Sequence, residues 1–310
     1  MSRYSDVRDE PLAKFLSPIK GYEATLPIPL EESISFVSDF FDGIRDYVFV
    51  AKHNCKYPAD GLKQDESASI YLYTMQFDIE PSLYKILNSA LRNKNRQQLK
   101  PWFPFLKLFL SALYKIPSCA KTVWRGICNV DLSSMYPTGH KFVWWGVSSC
   151  TSNLEVLNSD QFLGNHGMRT LFSIECRNGK PIGSHSYFEN KEHEVILMPG
   201  SYFEVMSQLN LEDGLHIIHL KEMEPPITFV KPPFAHLTPT PKPMEKPSIL
   251  TPIMSKPNKQ PLSMKNADHV VSVKTKPQTT QHYSSTKTDN SPKPKSIKSI
   301  HIKPPTGKRY

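Results

Sequence analysis

The chain has 310 residues, 39% hydrophobic and 22% charged, enough for one large domain or two small ones with a hydrophobic core. Its net charge of +9 is unevenly placed: residues 231–310 hold fifteen Lys and Arg against only Glu245, Asp268 and Asp289, which puts +12 there and leaves −3 on residues 1–230. The basic character belongs to an appendage, so a generally basic nucleic-acid-binding domain is excluded as the simple reading.

Of the 28 prolines, 14 fall in that same stretch, and its Pro/Lys/Ser/Thr mixture cannot bury enough apolar surface to offset chain entropy. Three zones are therefore expected: a flexible segment over 1–30, a folded domain over 31–228, and a disordered basic tail over 229–310. The tail's charge would attract acidic partners or anionic surfaces; the plainer reading is a solubilising extension. Its Thr238-Pro239, Thr240-Pro241, Thr251-Pro252 and Ser291-Pro292 pairs suit phosphorylation. No run approaches the ~18–20 apolar residues of a membrane span, since the greasiest, Trp102 to Leu110, is broken by Pro104 and Lys107. The N-terminus has no apolar signal region, and Cys55, Cys119, Cys128, Cys150 and Cys176 are odd in number and scattered. Together these predict an intracellular, cytoplasmic protein with reduced thiols.

Up to about residue 120 the apolar spacing is helical. Ile34, Val37, Phe41 and Ile44 follow an acidic Glu31-Glu32 start, and Ser67 to Met75 lies behind Asp65-Glu66, where acids favour a helix N-terminus. After Pro81, residues Leu83, Tyr84, Leu87 and Leu91 make one face. Trp102, Phe105, Leu106, Phe109, Leu110 and Leu113 make another, ended near Pro117. Beyond residue 120 the pattern turns strand-like: Thr122 to Arg125, Lys141 to Ser148, Arg169 to Cys176, Glu194 to Leu197, Tyr202 to Val205 and Leu215 to Leu220 are rich in β-branched and aromatic residues, with Gly or Pro between most of them. Helices first and strands second predict an α+β fold, a helical N-terminal lobe packed on a mostly antiparallel β core.

Neither G-x-G-x-x-G nor G-x-x-x-x-G-K-[ST] occurs, nor H-E-x-x-H nor G-x-S-x-G, and the histidines lack metal-ligand spacing, so a metal-free site is expected. Three features remain. Arg125, before Gly126, ends an apolar strand: a strand-end cation reaching solvent or pairing with an acid, or a forked donor for a pyrophosphate or carboxylate with Gly126 letting a ligand near the backbone. Ser148-Ser149-Cys150-Thr151-Ser152 closes the aromatic strand Phe142 to Val147: a hydroxyl-rich turn, or a hydroxyl placed to hold a neighbouring acid or a ligand hydroxyl. Glu192-His193-Glu194 precedes Val195 to Met198; in a strand, i and i+2 share a face, so both carboxylates would point to one place, a costly arrangement unless a cation comes between them.

In that order, Val123-Trp124-Arg125-Gly126, Ser149-Cys150-Thr151 and Glu192-His193-Glu194 resemble the Arg-Ser-Glu triad of the arginine-specific mono-ADP-ribosyltransferases, the group of the vertebrate ecto-enzymes and cholera-type toxins. The helical context matches as well, through Asp65-Glu66-Ser67 leading into Ile70 to Thr74 and through Leu87 to Arg92, so the resemblance spans roughly 45–222. It implies a two-sheet core and NAD as co-substrate. Arg125 would hold the phosphates, Gly126 backbone groups would meet the nicotinamide amide, and Ser149 would orient Glu194 and the ribose. Glu194 would stabilise the oxocarbenium-like charge, while Glu192 would bind the acceptor guanidinium and take its proton. Glu-x-Glu, where relatives have Gln-x-Glu, implies a protein arginine as acceptor. The serine motif departs from Ser-Thr-Ser, leaving Ser148 or Ser149 open, with Val147 at the hydrophobic position favouring Ser149. The same pocket would serve an NAD glycohydrolase; a retired NAD-binding scaffold acting through its tail is the reading from another class. No motif separating NADP from NAD is legible.

Overall fold

The computed structural model describes residues 9–13, 15–160 and 162–234. The chain divides into two units, Met1–Pro243 and Met244–Tyr310, and every described residue belongs to the first. The expectations for the tail beyond Phe234, its Ser-Pro and Thr-Pro pairs included, lie outside the described residues.

The helical lobe comprises α1 (Leu30–Ser35), α2 (Ile44–Asn54), α3 (Gln64–Thr74), α4 (Leu83–Arg92) and α5 (Phe103–Lys115). The face expected on α5 is buried in full, as is everything from Phe105 to Leu113, which makes α5 the lobe's central helix. Each of its large apolar side chains contributes roughly 1.5–3 kcal/mol by leaving water. Lys107, on the same helix, is buried too, and its ammonium donates to the Glu23 and Pro233 carbonyls at 2.7 Å each. The helix expected through Ile34, Val37, Phe41 and Ile44 is interrupted. The chain leaves α1 at Phe36, passes a 3-10 turn at Ser38–Phe40 and restarts after Gly43, whose φ of 66° a side chain would resist. Ile34, Val37 and Ile44 are nonetheless buried, and Phe41 packs edge-on against Phe77 and Trp102.

The segment 15–30, expected outside the fold, is built into it. Leu16, Ile19, Tyr22 and Leu30 are buried, Ile19 pairs in parallel with Val230, and the Tyr22 hydroxyl donates to the Lys231 carbonyl. Phe229 and Val230, expected in the tail, complete this strap, Phe229 lying edge-on to Trp145. Isolated apolar residues at irregular spacing carry no period, so only their partner far along the chain reveals them.

The strands are β1 (Cys119–Cys128), β2 (Lys141–Trp144), β3 (Ser148–Thr151), β4 (Arg169–Pro181), β5 (Glu194–Leu197), β6 (Ser201–Asn210) and β7 (Leu215–Glu222). They run in the order β1-β3-β5-β4-β7-β6-β2, and β1 also pairs with β4. So β1, β3, β5 and β4 close a ring, which β7, β6 and β2 extend as a second sheet region. The β4–β7 pairing is parallel and the others are antiparallel. Two cores result. One joins the helices to Val143, Trp145, Val147, Ile182 and Ile196; the other lies among the strands, around Trp144, Cys150, Phe172, Val195 and Leu197.

The run Lys141 to Ser148, expected as one strand, is split. β2 lies at one end of the strand order, and β3 sits between β1 and β5. At the break, Glu10 accepts from the Trp145 and Gly146 amides at 2.9 and 3.2 Å, and Asn88 exchanges two hydrogen bonds with the Val147 backbone. Buried backbone groups need partners, and here a side chain of the N-terminal segment and one of α4 supply what a sheet would have. A Cβ at Gly146 would sit 2.5 Å from Arg92 Nη2 and 3.0 Å from Glu10 Oε1, so the glycine leaves room for that ion pair.

Candidate active site

β1, β3 and β5 are neighbours, and Trp124, Thr151 and Glu194 lie opposite one another in a single row across them. Adjacent strands are ~4.8 Å apart, so Arg125, the serine motif and Glu194 emerge within about three strand widths. Opposite residues share a face, and faces alternate along a strand. Ser149 and Thr151 therefore go with Glu194 and Ile196, while Ser148 goes with Cys150, Val195 and Leu197. The cores agree: Val147 and Ile196 belong to the helical-lobe core, Cys150, Val195 and Leu197 to the other. Of the two serines left open by the sequence, Ser149 is the one on Glu194's face.

Arg125, expected at a strand end, lies inside β1, which runs on to Cys128; fully buried, it alternates with Trp124 and so leaves the strand on the face of Val123, Ile127 and Cys150, not on the face of Ser149 and Glu194. Its Nη1 donates to the Ser149 carbonyl at 3.3 Å, and its guanidinium carbon lies 6.0 Å from the Trp144 ring. Cys150 lies near both Arg125 and Glu194. Burial pushes its thiol up to about 12; the Arg125 cation pulls it down, while Cys176 and Glu194 push it further up. Cys150 should accordingly stay protonated and inert through neutral pH. Iodoacetamide should label it in denaturant and leave it unlabelled in the native protein at pH 8, as read by peptide mass; native labelling would contradict the burial.

Glu194 is 1% exposed, and its Oε2 accepts from Ser186 Oγ at 2.8 Å. Glu192 is placed differently from the expectation. It ends a 3-10 turn at Glu189–Glu192, and His193 takes a left-handed φ of 46° before β5 begins. The i, i+2 rule of a strand does not apply across that kink, so the two carboxylates are not side by side on one strand face. Glu194 is buried and Glu192 is half-buried. Glu192 is instead fixed through its backbone, its carbonyl accepting from Thr151 Oγ1 at 2.7 Å. Gly126 does allow a close approach, but the group that makes it is Leu163 of the β3–β4 connection, whose Cβ would lie 2.7 Å from a Cβ on residue 126.

Residues 42–226 match the model of the family described as NAD:arginine ADP-ribosyltransferase. The chain belongs to that family. NAD is its co-substrate and arginine its acceptor, making it an NAD-dependent arginine mono-ADP-ribosyltransferase. Similar solved structures include the ADP-ribosyltransferase HopU1 of Pseudomonas syringae, at 21% identity over 67% of this chain and 100% of that one, TM-score 0.48. The Vis toxin of Vibrio splendidus is similar at 17% identity over 66% and 90%, TM-score 0.43. The eukaryotic mono-ADP-ribosyltransferase ART2.2 is similar at 19% identity over 64% and 85%, TM-score 0.45. No curated protein sequence matches the chain.

Around Glu194 the sequence left Ser186 and Thr74 unread. Ser186, eight residues before Glu194, reaches it only because the β4–β5 connection folds back, and Thr74 Oγ1 on α3 accepts from the Tyr187 amide at 2.8 Å. A serine in a Gly-Ser-His-Ser stretch gives no local signal of either contact. No cluster of three or more His, Cys, Asp or Glu able to hold a metal occurs among the described residues, and no described helix is long and apolar enough to cross a membrane.

Proposed function

We propose that Arg125, Ser149, Glu192 and Glu194 carry the transfer. Arg125 holds the diphosphate of NAD with its planar fork, and Gly126 backbone groups meet the nicotinamide amide. Ser149 orients the nicotinamide ribose and Glu194. Glu194 accepts a hydrogen bond from the 2′-hydroxyl and stabilises the positive charge that grows on the ribose as the N-glycosidic bond breaks, nicotinamide departing with the bonding electrons. The acceptor guanidinium nitrogen then bonds to C1′ while Glu192 takes its proton. What supports the reading is the family match, Ser149 and Glu194 on one face of β3 and β5, and Arg125 reaching the Ser149 carbonyl at 3.3 Å from the neighbouring strand. A half-buried Glu192 suits a cation arriving from solvent.

Incubation with labelled NAD and agmatine should give a stable ADP-ribosyl-guanidine adduct and free nicotinamide in equal amounts. Equal release of free ADP-ribose with and without agmatine would replace transfer by hydrolysis. The catalytic domain is proposed to extend beyond 31–228 to take in the strap at Ile19 and Val230. An intracellular protein acceptor is proposed from the five free cysteines, and a contact of the basic tail with acidic partners from its charge.

A further inference from the structure

The β4–β5 connection, residues 182–193, carries the donor to Glu194, and something must hold it. Next to Ser186 stands His185, whose side chain is completely buried. Its Nδ1 lies 2.9 Å from Ser67 Oγ on the first turn of α3, and its Nε2 lies 3.0 Å from Asp60 Oδ2 in the α2–α3 loop. The carboxylate requires a proton on Nε2, and the hydroxyl can either donate to Nδ1 or accept from it, so both nitrogens stay satisfied whichever charge the ring carries. Serine, histidine and aspartate in a row have the make-up of a nucleophilic relay, but Ser67 and His185 meet between α3 and the connection, away from the strand row that carries Glu194. What the arrangement does instead is fix a direction. An apolar side chain would fill the space between α3 and the connection equally well; an imidazole tied at both nitrogens locks rotation as well as depth.

We infer that His185, clamped between Asp60 and Ser67, is a positioning residue for the reaction: it orients the connection from the helical lobe so that Ser186 aims Glu194 at the ribose. The neighbouring contacts run the same way. Ser186 Oγ accepts from the Phe188 amide at 3.2 Å, the Tyr187 amide is held by Thr74, and the Tyr187 ring meets Tyr71 edge-on. The inference rests on the role proposed for Glu194.

Asp60 is the place to test it, because it is partly exposed and lies outside the machinery of transfer. Its φ of 55° makes Asp60→Gly the variant that removes the carboxylate without backbone strain, and Asp60→Asn the one that restores an acceptor. Asp60→Gly should lower kcat about tenfold with KM for NAD changed less than about twofold, Asn should recover most of the loss, and Asp60→Gly should cost nothing further in a Ser186→Ala background. Amide hydrogen exchange at Tyr187 and Phe188 should quicken in Asp60→Gly while α5 keeps its protection. Unchanged exchange at those amides would overturn the clamp, whatever the activity. Quickened exchange with an equal kcat loss in both backgrounds would overturn its action through Ser186. A wild-type protein that transfers nothing to agmatine would instead sink the role of Glu194, with the exchange arm still deciding the clamp.

Discussion

Glu194→Gln should lower kcat for ADP-ribosyl transfer about a thousandfold, on the order of 4 kcal/mol of transition-state stabilisation, in a protein that still folds. The amide is nearly the shape of the carboxylate, and its carbonyl oxygen can still accept from Ser186 Oγ, the 2.8 Å contact that holds the side chain. What disappears is the negative charge. Glu194 is 1% exposed, so that charge acts through a low dielectric, where its pull on a cationic ribose is worth several times its value in water. KM for NAD should move little, because the ground-state dinucleotide is held through its phosphates and amide while the carboxylate counts chiefly as the bond breaks. Steady-state kinetics with agmatine, beside a melting curve within a few degrees of wild type, separates this from unfolding. Transfer retained to within about tenfold would remove Glu194 from the chemistry.

Local patterns carried some of this structure and were silent about the rest. The buried face of α5 and the span of β5 were readable because each is decided by its own few residues: a 3.6 period around Phe105, Phe109 and Leu113, and a β-branched run at Val195-Ile196. The split between β2 and β3 was not, since Phe142 to Val147 reads as one aromatic strand and what breaks it is Glu10 and Asn88, arriving from elsewhere in the chain. The site divides in the same way. Arg125, Ser149 and Glu194 are each marked by an immediate neighbour, a Gly, a Thr two residues on, an apolar strand. Val147 favoured Ser149 over Ser148, and the register of β3 against β5 sets Ser149 on Glu194's face. Glu192 was placed by a strand rule that the left-handed His193 cancels, and no rule of sequence spacing foresees a single residue crossing to positive φ. Ser186 and His185 owe their partners entirely to how the β4–β5 connection lies on α3.

Arg125→Lys, conservative in charge, should be the second most damaging change, and it should damage binding more than chemistry. A guanidinium can donate to the Ser149 carbonyl with one nitrogen and still present others in a fixed fork to a diphosphate; an ammonium is a point charge on a shorter reach and cannot do both at once. KM for NAD should therefore rise by at least about tenfold, with kcat falling by less, the reverse of the pattern for Glu194→Gln. The apo protein should also lose stability. Arg125 is fully buried, and its planar group lies 6.0 Å from the Trp144 ring, a site that a more strongly hydrated ammonium fills poorly and is costlier to desolvate in. A drop of a few kcal/mol is the order expected when a buried charge is left with imperfect partners. Calorimetric titration of NAD and denaturant unfolding without it read the two consequences separately. Weakened NAD binding with unchanged stability would mean that the guanidinium serves the ligand alone. Lost stability with unchanged NAD affinity would mean that Arg125 supports the β1–β3 junction and that the diphosphate is held elsewhere.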